Sequence, residues 1–261
     1  MSYMMEAPSE GQRLTAQECS NPSQPRLVAA GLGPGMRVVD VGCGAGATLP
    51  AMLELVGPSG HITAVEPNEE RLAAAQVSTG SPQVAFVRSS LPRISLPSAS
   101  ADFVWSQFVF EYLADPAAAL EELIRIARPG GKVVVSDVDG VGLGLWPLPE
   151  LVREGAPRFL RALARTGFDG DIGRKLFTLF HHAGLTQVRV HLSHLYLCAG
   201  AADERLYDDW VQRFKVLAPI GVPELGGQEQ YERYCRAYLD ALAAADTLKF
   251  AIVLVTEGTR K

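Results

Sequence analysis

Residues 38–46 read Val-Val-Asp-Val-Gly-Cys-Gly-Ala-Gly, and the fold can be worked out from this stretch. An apolar run that contains one acid, Asp40, predicts a buried parallel strand, and three alternate glycines follow it directly. Residues 47–56 are rich in helix formers, with apolar residues spaced to bury one face. Glycines let a backbone turn sharply and approach a ligand closely. A strand, a glycine turn and a helix in this order predict the first half of a nucleotide-binding βαβ unit.

A second acid, Glu66, follows the next predicted strand, residues 62–65. A carboxylate at the end of this strand can accept hydrogen bonds from ribose hydroxyls. The pattern Gly42-x-Gly44-x-x-Ala47 also satisfies the loose fingerprint of Rossmann dinucleotide enzymes. The sequence therefore leaves a dinucleotide-dependent enzyme open as the less favoured alternative.

The same stretch resembles motif I of class I S-adenosylmethionine (SAM) methyltransferases, which is written hydrophobic-Asp-x-Gly-x-Gly-x-Gly. Asp40 and Gly46 stand at the spacing of that motif. Residues 128–131, Arg-Pro-Gly-Gly, precede three valines and resemble the turn into strand five of the methyltransferase sheet. The resemblance is specific over residues 26–137 and weaker in the last two strands. It is nearest to bacterial small-molecule methyltransferases of the ubiquinone/menaquinone-biosynthesis type and their relatives in secondary metabolism.

This resemblance implies an α/β fold with a doubly wound, Rossmann-like sheet of seven strands, mostly parallel with strand seven antiparallel. It implies a methyltransferase that uses SAM, leaves S-adenosylhomocysteine (SAH), and methylates an O, N or C nucleophile of a small molecule. A SAM-binding protein without transfer activity is the other alternative. The expected organisation is an N-terminal arm or cap, a SAM-binding core, a helical insertion that forms an acceptor lid, and a final core strand. These span residues 1–25, 26–198, 199–246 and 247–261.

The resemblance also implies the positions that bind the cofactor. Gln17 lies in an Arg-Leu-x-x-Gln pattern similar to an N-terminal helix that covers the methionine end of SAM, although a surface arm is equally open. Ser90 stands where the family often has an acid that bonds adenine. Ser106 ends predicted strand four and Gln107 follows it, and both are candidates to bind the amino-acid portion of SAM. The full predicted set is Gln17, Asp40, Gly42, Cys43, Gly44, Glu66, Pro67, Ser90, Leu91, Ser106 and Gln107.

No general base stands out, and methyl transfer needs one only if the acceptor arrives protonated. Glu111 and Tyr112 occupy the place where the family often has His-His or Glu-His, and Asp137 ends predicted strand five. A hydrogen bond within its turn is favoured over catalysis for Glu111. A place at the pocket mouth or a loop cap is favoured for Asp137. No metal-ligand spacing is present.

The predicted lid, residues 199–246, is too long for a simple turn. It contains two helical patterns separated by residues 219–227, and a helix over residues 151–165 is predicted to be interrupted near Pro157. Aromatic residues recur at helical spacing in the lid: Trp210, Phe214, Tyr231, Tyr234 and Tyr238. Packing between the two helices explains most of them. The functional hypothesis is that part of this face receives an apolar or aromatic small molecule.

Composition narrows the remaining possibilities. The chain has 261 residues, 48% hydrophobic and 20% charged, with a net charge of −5 that argues against a nucleic-acid partner. No apolar run approaches the ~20 residues of a membrane span, and the first residues do not read as a secretory signal. Four cysteines without close spacing predict reduced thiols in a cytoplasm. The oligomeric state, monomer or homodimer, stays open.

Overall fold

The computed structural model describes residues 22–142 and 144–261, and Gln17 therefore lies outside the described residues. Eight strands form one mixed sheet. They are β1 (Arg37–Val41), β2 (His61–Val65), β3 (Val84–Val87), β4 (Ala101–Gln107), β5 (Ala127–Asp139), β6 (Leu145–Trp146), β7 (Thr186–Ala199) and β8 (Leu248–Thr259).

Helices connect these strands. They are α1 (Gln24–Ala29), α2 (Leu49–Val56), α3 (Glu69–Thr79), α4 (Pro116–Ile126), α5 (Glu150–Arg165), α6 (Ile172–His182), α7 (Glu204–Leu225) and α8 (Gln228–Ala243), with a 3₁₀ turn at Phe110–Tyr112. Within the described ranges, no helix has both the length and the apolar character that crossing a bilayer requires.

The strand order is β3-β2-β1-β4-β5-β8-β6, and β7 also pairs with β8. Strands β1 to β5 are parallel, and β8 runs antiparallel to β5, β6 and β7. The predicted parallel sheet with an antiparallel last strand is therefore confirmed. The chain moves outward from β1 to β3 and returns on the other side at β4, which creates a crevice between the carboxyl ends of β1 and β4.

The predicted number of strands needs one correction, because the sheet has eight. The extra strand is β6, whose two residues pair with Leu248 and Lys249 of β8. Two residues are too short to produce a period-2 pattern, so the sequence contains no signal for this strand.

Helices cover both faces of the sheet. On one face α4 and α6 bury Leu123, Leu176 and Phe180, and on the other α1 and α2 bury Leu27 and Met52. The sheet is therefore doubly wound, as predicted.

A third apolar cluster joins α5, α7 and α8 above the carboxyl edge of the sheet. We call these three helices the helical cap. The sequence analysis assigned α5 to the core, whereas the structure packs Phe159 of α5 edge-to-face against Tyr231 and Tyr234 of α8.

The ends of the 199–246 segment meet at a narrow neck. The fully buried ammonium of Lys249 donates to the carbonyls of Gly200 and Ala244. Ala202 N–H also donates to the Leu242 carbonyl at 2.8 Å. The neck therefore fixes both helices of the insertion to strand β8.

The sequence predicts that prolines interrupt the cap helices near Pro157 and over residues 219–227, and the structure shows continuous helices at these prolines. Helix α5 continues through Pro157, and α7 continues through Pro219 and Pro223 before Gly226 ends it with a left-handed φ of 99°. Each proline removes one N–H from its helix. Burial of the apolar faces that these helices share outweighs that loss, because tertiary packing contributes more to helix stability than local propensity.

Gly221 allows α7 and α8 to approach each other, and its substitution tests this packing. A Cβ atom at Gly221 would lie 2.2 Å from Cε2 of Tyr231. The Tyr231 ring cannot move freely, because its hydroxyl donates to the Phe214 carbonyl. We expect Gly221→Ala to lower the free energy of unfolding by about 1–3 kcal/mol in urea titrations, although alanine normally stabilises a helix.

Gly33→Ala is the control, since nothing lies within 4 Å of a Cβ atom there. Equal or greater stability of Gly221→Ala would contradict the close packing of the two helices.

Candidate functional site

A cavity of about 740 Å³ opens at the carboxyl ends of β1, β2 and β4. The glycine turn and Glu66 line one side of it, and aromatic residues of the helical cap line the other. The two features that the sequence analysis singled out thus face the same space.

The three glycines of the turn have left-handed φ angles of 80°, 55° and 84° at Gly42, Gly44 and Gly46. A Cβ atom at Gly42 would lie 2.4 Å from Cγ2 of Val109, and one at Gly46 would lie 3.0 Å from Cβ of Ala75 in α3. Gly42 and Gly46 are therefore needed for close packing within the protein. Both Gly42 and Gly44 line the cavity.

Glu66 ties the glycine turn to the start of α3. One carboxylate oxygen accepts the Gly44 N–H at 3.1 Å, and the other accepts the Asn68 N–H and Nε of Arg71, each at 3.1 Å. Asn68 caps α3 by accepting the Arg71 N–H, and the helix begins at Glu69. The role of Arg71 was missed, because an arginine early in a helix carries no distinctive sequence signal.

Most residues predicted to bind the cofactor line the cavity: Asp40, Gly42, Cys43, Gly44, Glu66, Pro67, Ser90, Leu91 and Gln107. Ser106 does not, because its buried hydroxyl donates to the Val41 carbonyl at 3.0 Å. The side-chain oxygen of Gln107 accepts a hydrogen bond from Nε of Arg26 at 3.3 Å. Arg26 is buried and lines the cavity, and the sequence analysis did not predict it as a site residue. Burial raises the pKa of the Cys43 thiol well above its ordinary value, which keeps the thiol neutral.

Asp137 does not line the cavity. It was a catalytic candidate in the sequence analysis, and its position away from the cavity argues against that role. Its fully buried carboxylate accepts the backbone N–H groups of Phe110 at 2.9 Å, Glu111 at 3.3 Å and Val138 at 2.9 Å. It therefore anchors the 3₁₀ turn that follows β4.

Glu111 and Tyr112, on that same turn, do line the cavity. Glu111 is 6% exposed, and the Tyr112 ring centroid lies 5.6 Å from that of Phe168. These two side chains remain the catalytic candidates. Across the described ranges, no group of three or more His, Cys, Asp or Glu residues could hold a metal ion.

The aromatic side of the cavity is built by the helical cap, by strand β7, by the 3₁₀ turn and by the connection between α5 and α6. Its central rings are tightly packed: Trp210 lies 4.4 Å from Tyr238 and 5.5 Å from Phe214, centroid to centroid. The rings that line this side are Tyr112, Phe159, Phe168, Tyr196, Trp210, Phe214, Tyr234 and Tyr238. We call this side the aromatic chamber. Tyr231, which the sequence analysis grouped with these rings, is not among the lining residues.

A paired cation lies against the central rings of the chamber. The guanidinium of Arg213 lies 5.7 Å from the centre of the Trp210 ring and is paired with Asp209, with Nε 2.7 Å from the carboxylate. Burial raises the pKa values of Tyr196, Tyr234 and Tyr238 above the ordinary value of a phenol, because it disfavours the charged form.

Comparisons with known proteins show which families this chain resembles. Residues 39–135 match the family described as "Methyltransferase domain". An uncharacterised 37.1 kDa protein in transposon TN4556 of Streptomyces fradiae is 31% identical over 176 residues, which cover 66% of this chain and 50% of that protein. Demethylmenaquinone methyltransferase of Staphylococcus aureus is 31% identical over 105 residues, 40% of this chain and 44% of that enzyme.

Among solved structures, a SAM-dependent methyltransferase from Aquifex aeolicus is 25% identical with a TM-score of 0.51, over 69% of this chain and 89% of that one. The chain spans about half the length, or less, of the first curated relatives that it matches. The similarity to the menaquinone-type enzyme is therefore distant and confined to part of each chain.

The buried carboxyl of Asp137 gives a testable pH dependence. Burial raises its pKa from 3.8 to about 7, while backbone N–H groups oppose the shift. Between these values the folded protein holds the proton more tightly than the unfolded chain, so this group's stabilisation is lost as the pH rises through about 7. We expect the free energy of unfolding of the wild type, relative to Asp137→Asn, to fall between pH 5 and pH 8.

Asp115→Asn is the matched control, because the exposed Asp115 caps α4 and asparagine can also cap a helix. Parallel pH profiles for wild type and Asp137→Asn would contradict the assignment.

Proposed function

We propose that this chain is a class I SAM-dependent methyltransferase, and that it transfers a methyl group from SAM to an oxygen, nitrogen or carbon nucleophile of a small molecule. The observation that carries this proposal is the shared cavity, in which the glycine turn and the aromatic chamber face one another. A cofactor on the first side would have its reactive end next to an acceptor on the second.

The chemistry of the first side fits SAM. The turn has left-handed backbone at Gly42 and Gly44, and two carboxylates, Asp40 and Glu66, suit a ligand with a positive charge and ribose hydroxyls. Glu66 would accept hydrogen bonds from the ribose, and Gln107 would bind the amino-acid portion. SAM, when bound, supplies a methyl group activated by its positive sulfur and leaves SAH.

The chain's own contribution is placement and exclusion of water. The helical cap closes the apolar end of the cavity, which favours a dry site and strengthens electrostatic interactions there. The turn anchored by Asp137 holds Glu111 and Tyr112 in the lining of the same cavity. If the acceptor arrives protonated, Glu111 is the carboxylate in position to take the proton, with Tyr112 beside it.

The acceptor proposed for this site is an apolar or aromatic small molecule rather than nucleic acid. The aromatic lining of the chamber and the net charge of −5 support this. A cytoplasmic location is proposed with it, supported by the absence of a disulfide among the described cysteines Cys43, Cys198 and Cys235.

Two measurements, made one after the other, test the proposed function. Isothermal titration with SAM, SAH and NAD distinguishes a SAM protein from a dinucleotide enzyme. Release of SAH with a panel of small aromatic acceptors then distinguishes a methyltransferase from a protein that binds SAM without transfer. Tight binding of NAD without binding of SAM would overturn the proposal.

Glu66→Ala tests the cofactor side. Loss of a charge-assisted contact to the ribose, together with loss of the Gly44 tether, should weaken SAM binding by about 1.5–3 kcal/mol in calorimetry. The variant should also lose discrimination between SAM and its 2′-deoxy analogue. Glu69→Ala is the control, since Glu69 is an exposed glutamate at the start of α3, three residues after Glu66. If Glu66→Ala still discriminated between SAM and its 2′-deoxy analogue as the wild type does, the ribose would not bind at Glu66.

Trp210→Leu tests the acceptor side. Because Trp210 lines the chamber, we expect the acceptor KM to rise about tenfold or more, in line with the cost of removing a buried aromatic anchor. The KM for SAM should change little. Phe180→Leu, which alters the buried face of α6, should lower stability without separating the two KM values. Equal increases for both ligands in Trp210→Leu would assign this ring to packing.

A further inference from the structure

Large apolar side chains are exposed on strands β6, β7 and β8, away from the cavity. Trp146 and Leu192 are each 73% exposed, Leu197 is 65% exposed, and Val190 and Leu248 are each 41% exposed. None of them lines the cavity. We call these five side chains the apolar patch.

Strand register places the whole patch on one face of the sheet. The opposed pairs are Val190–Thr256, Leu192–Leu254, Leu197–Phe250 and Trp146–Leu248. Directly opposed residues share a face, and the β8 members of these pairs are alternate residues, which also share a face. Thr256 lies opposite Val135 of β5 as well, and Val135 is buried in the cluster under α4 and α6. The patch therefore continues the face that these two helices cover further along the sheet.

The polarity of β7 is the reverse of that expected for a half-exposed strand. Such a strand normally turns its polar residues to solvent. In β7, however, His191 is half-buried on the opposite face and pairs with Glu257, while its neighbour Leu192 is exposed. Along β7 and β8, which the structure describes in full, no Asp, Glu, Lys or Arg stands on the patch face. An exposed apolar surface of this kind marks an interaction site.

The absence of charge on this face of β7 and β8 suits association with a second copy of the chain. A two-fold contact sets a surface against itself, so an unpaired charge near the axis meets a like charge. The charged residues of β8, Lys249 and Glu257, lie on the other face and are buried. The net charge of −5 opposes binding to an anionic membrane, which is the main alternative for an apolar surface.

The face of the strands, rather than the edge, is the surface available for this contact. Strand β7 is the outermost strand on its side and pairs with β8. Its register is irregular between Thr186 and Arg189 and again between His194 and Tyr196. Irregularities of this kind disfavour pairing of an edge with another strand. Two sheet faces, by contrast, pack well at a separation of about 10 Å.

The size of the patch is adequate for a dimer. A whole aromatic side chain has roughly 150–250 Å² of surface and an aliphatic one somewhat less, so the exposed fractions correspond to about 500–600 Å² per copy. A standard interface buries about 800 Å² on each partner, of which the apolar centre is the larger part.

We propose that the apolar patch is the interface of a homodimer, in which β7 and β8 of two copies pack face to face about a two-fold axis. The second copy supplies the layer that helices supply elsewhere on this face. Because the patch lies outside the cavity lining, this inference does not rest on the proposed function.

Sedimentation velocity of the full chain over a dilution series measures the dimer, and tryptophan fluorescence locates its interface. Of the three tryptophans, Trp105 and Trp210 are buried within one copy, whereas Trp146 is exposed. We expect a dimer whose dissociation on dilution shifts the emission to longer wavelength, because Trp146 then enters water. Trp146→Phe should lose this shift.

Leu192→Glu should raise the dissociation constant of the dimer about tenfold or more, because it would bury an unpaired carboxylate in the contact. Leu197→Glu is a second variant on the same face and should act in the same direction. Val77→Glu is the matched control, since Val77 is exposed on α3 beside the opposite edge of the sheet, and it should dimerise like the wild type. Near-ultraviolet circular dichroism should be unchanged in all three variants.

A wild type that stays monomeric at every concentration would overturn the proposal. A dimer that persists in both Leu192→Glu and Leu197→Glu, or that dissociates without a change in tryptophan emission, would also overturn it. Co-sedimentation of the wild type with phosphatidylcholine vesicles, without self-association, would assign the patch to a lipid surface instead.

Discussion

The close contact between the turn after β1 and the turn after β4 is the constraint on which the cavity depends. Val109 occupies the space where any side chain at Gly42 would begin. A buried carboxylate also anchors each turn through hydrogen bonds. Glu66 accepts the Gly44 N–H, and Asp137 accepts the N–H groups of Phe110 and Glu111 in the 3₁₀ turn. Both anchors accept hydrogen bonds from backbone N–H groups, so they fix the backbone of the two turns directly.

The sequence was most informative where function constrains the backbone. Glycines at fixed spacing and an acid at the end of β2 identified the first side of the site, because few other residues tolerate the left-handed φ angles found there. Side-chain direction was harder to predict. Ser106 and Gln107 are neighbours in β4 and point to opposite faces of the sheet, so only Gln107 lines the cavity.

Contacts between distant parts of the chain explain the remaining differences. Arg26 reaches Gln107 from a helix far away in sequence, and no local pattern predicts such a pair. The length of α7 was underestimated because prolines are strong local signals, whereas the packing that keeps the helix continuous comes from α5 and α8. Local rules therefore located the elements, and tertiary packing decided where they end.

The neck at Lys249 has a consequence for how such a chain can diversify. One ammonium group holds the carbonyls at both ends of the insertion, Gly200 and Ala244, against the same strand. The two attachment points are thus already adjacent before any helix between them is considered, and joining them requires little further loss of chain entropy. We expect helices of different length or sequence to be tolerated at this junction, because they would join outside the residues that pair β7 with β8. Such exchange would give a new chamber above an unchanged glycine turn.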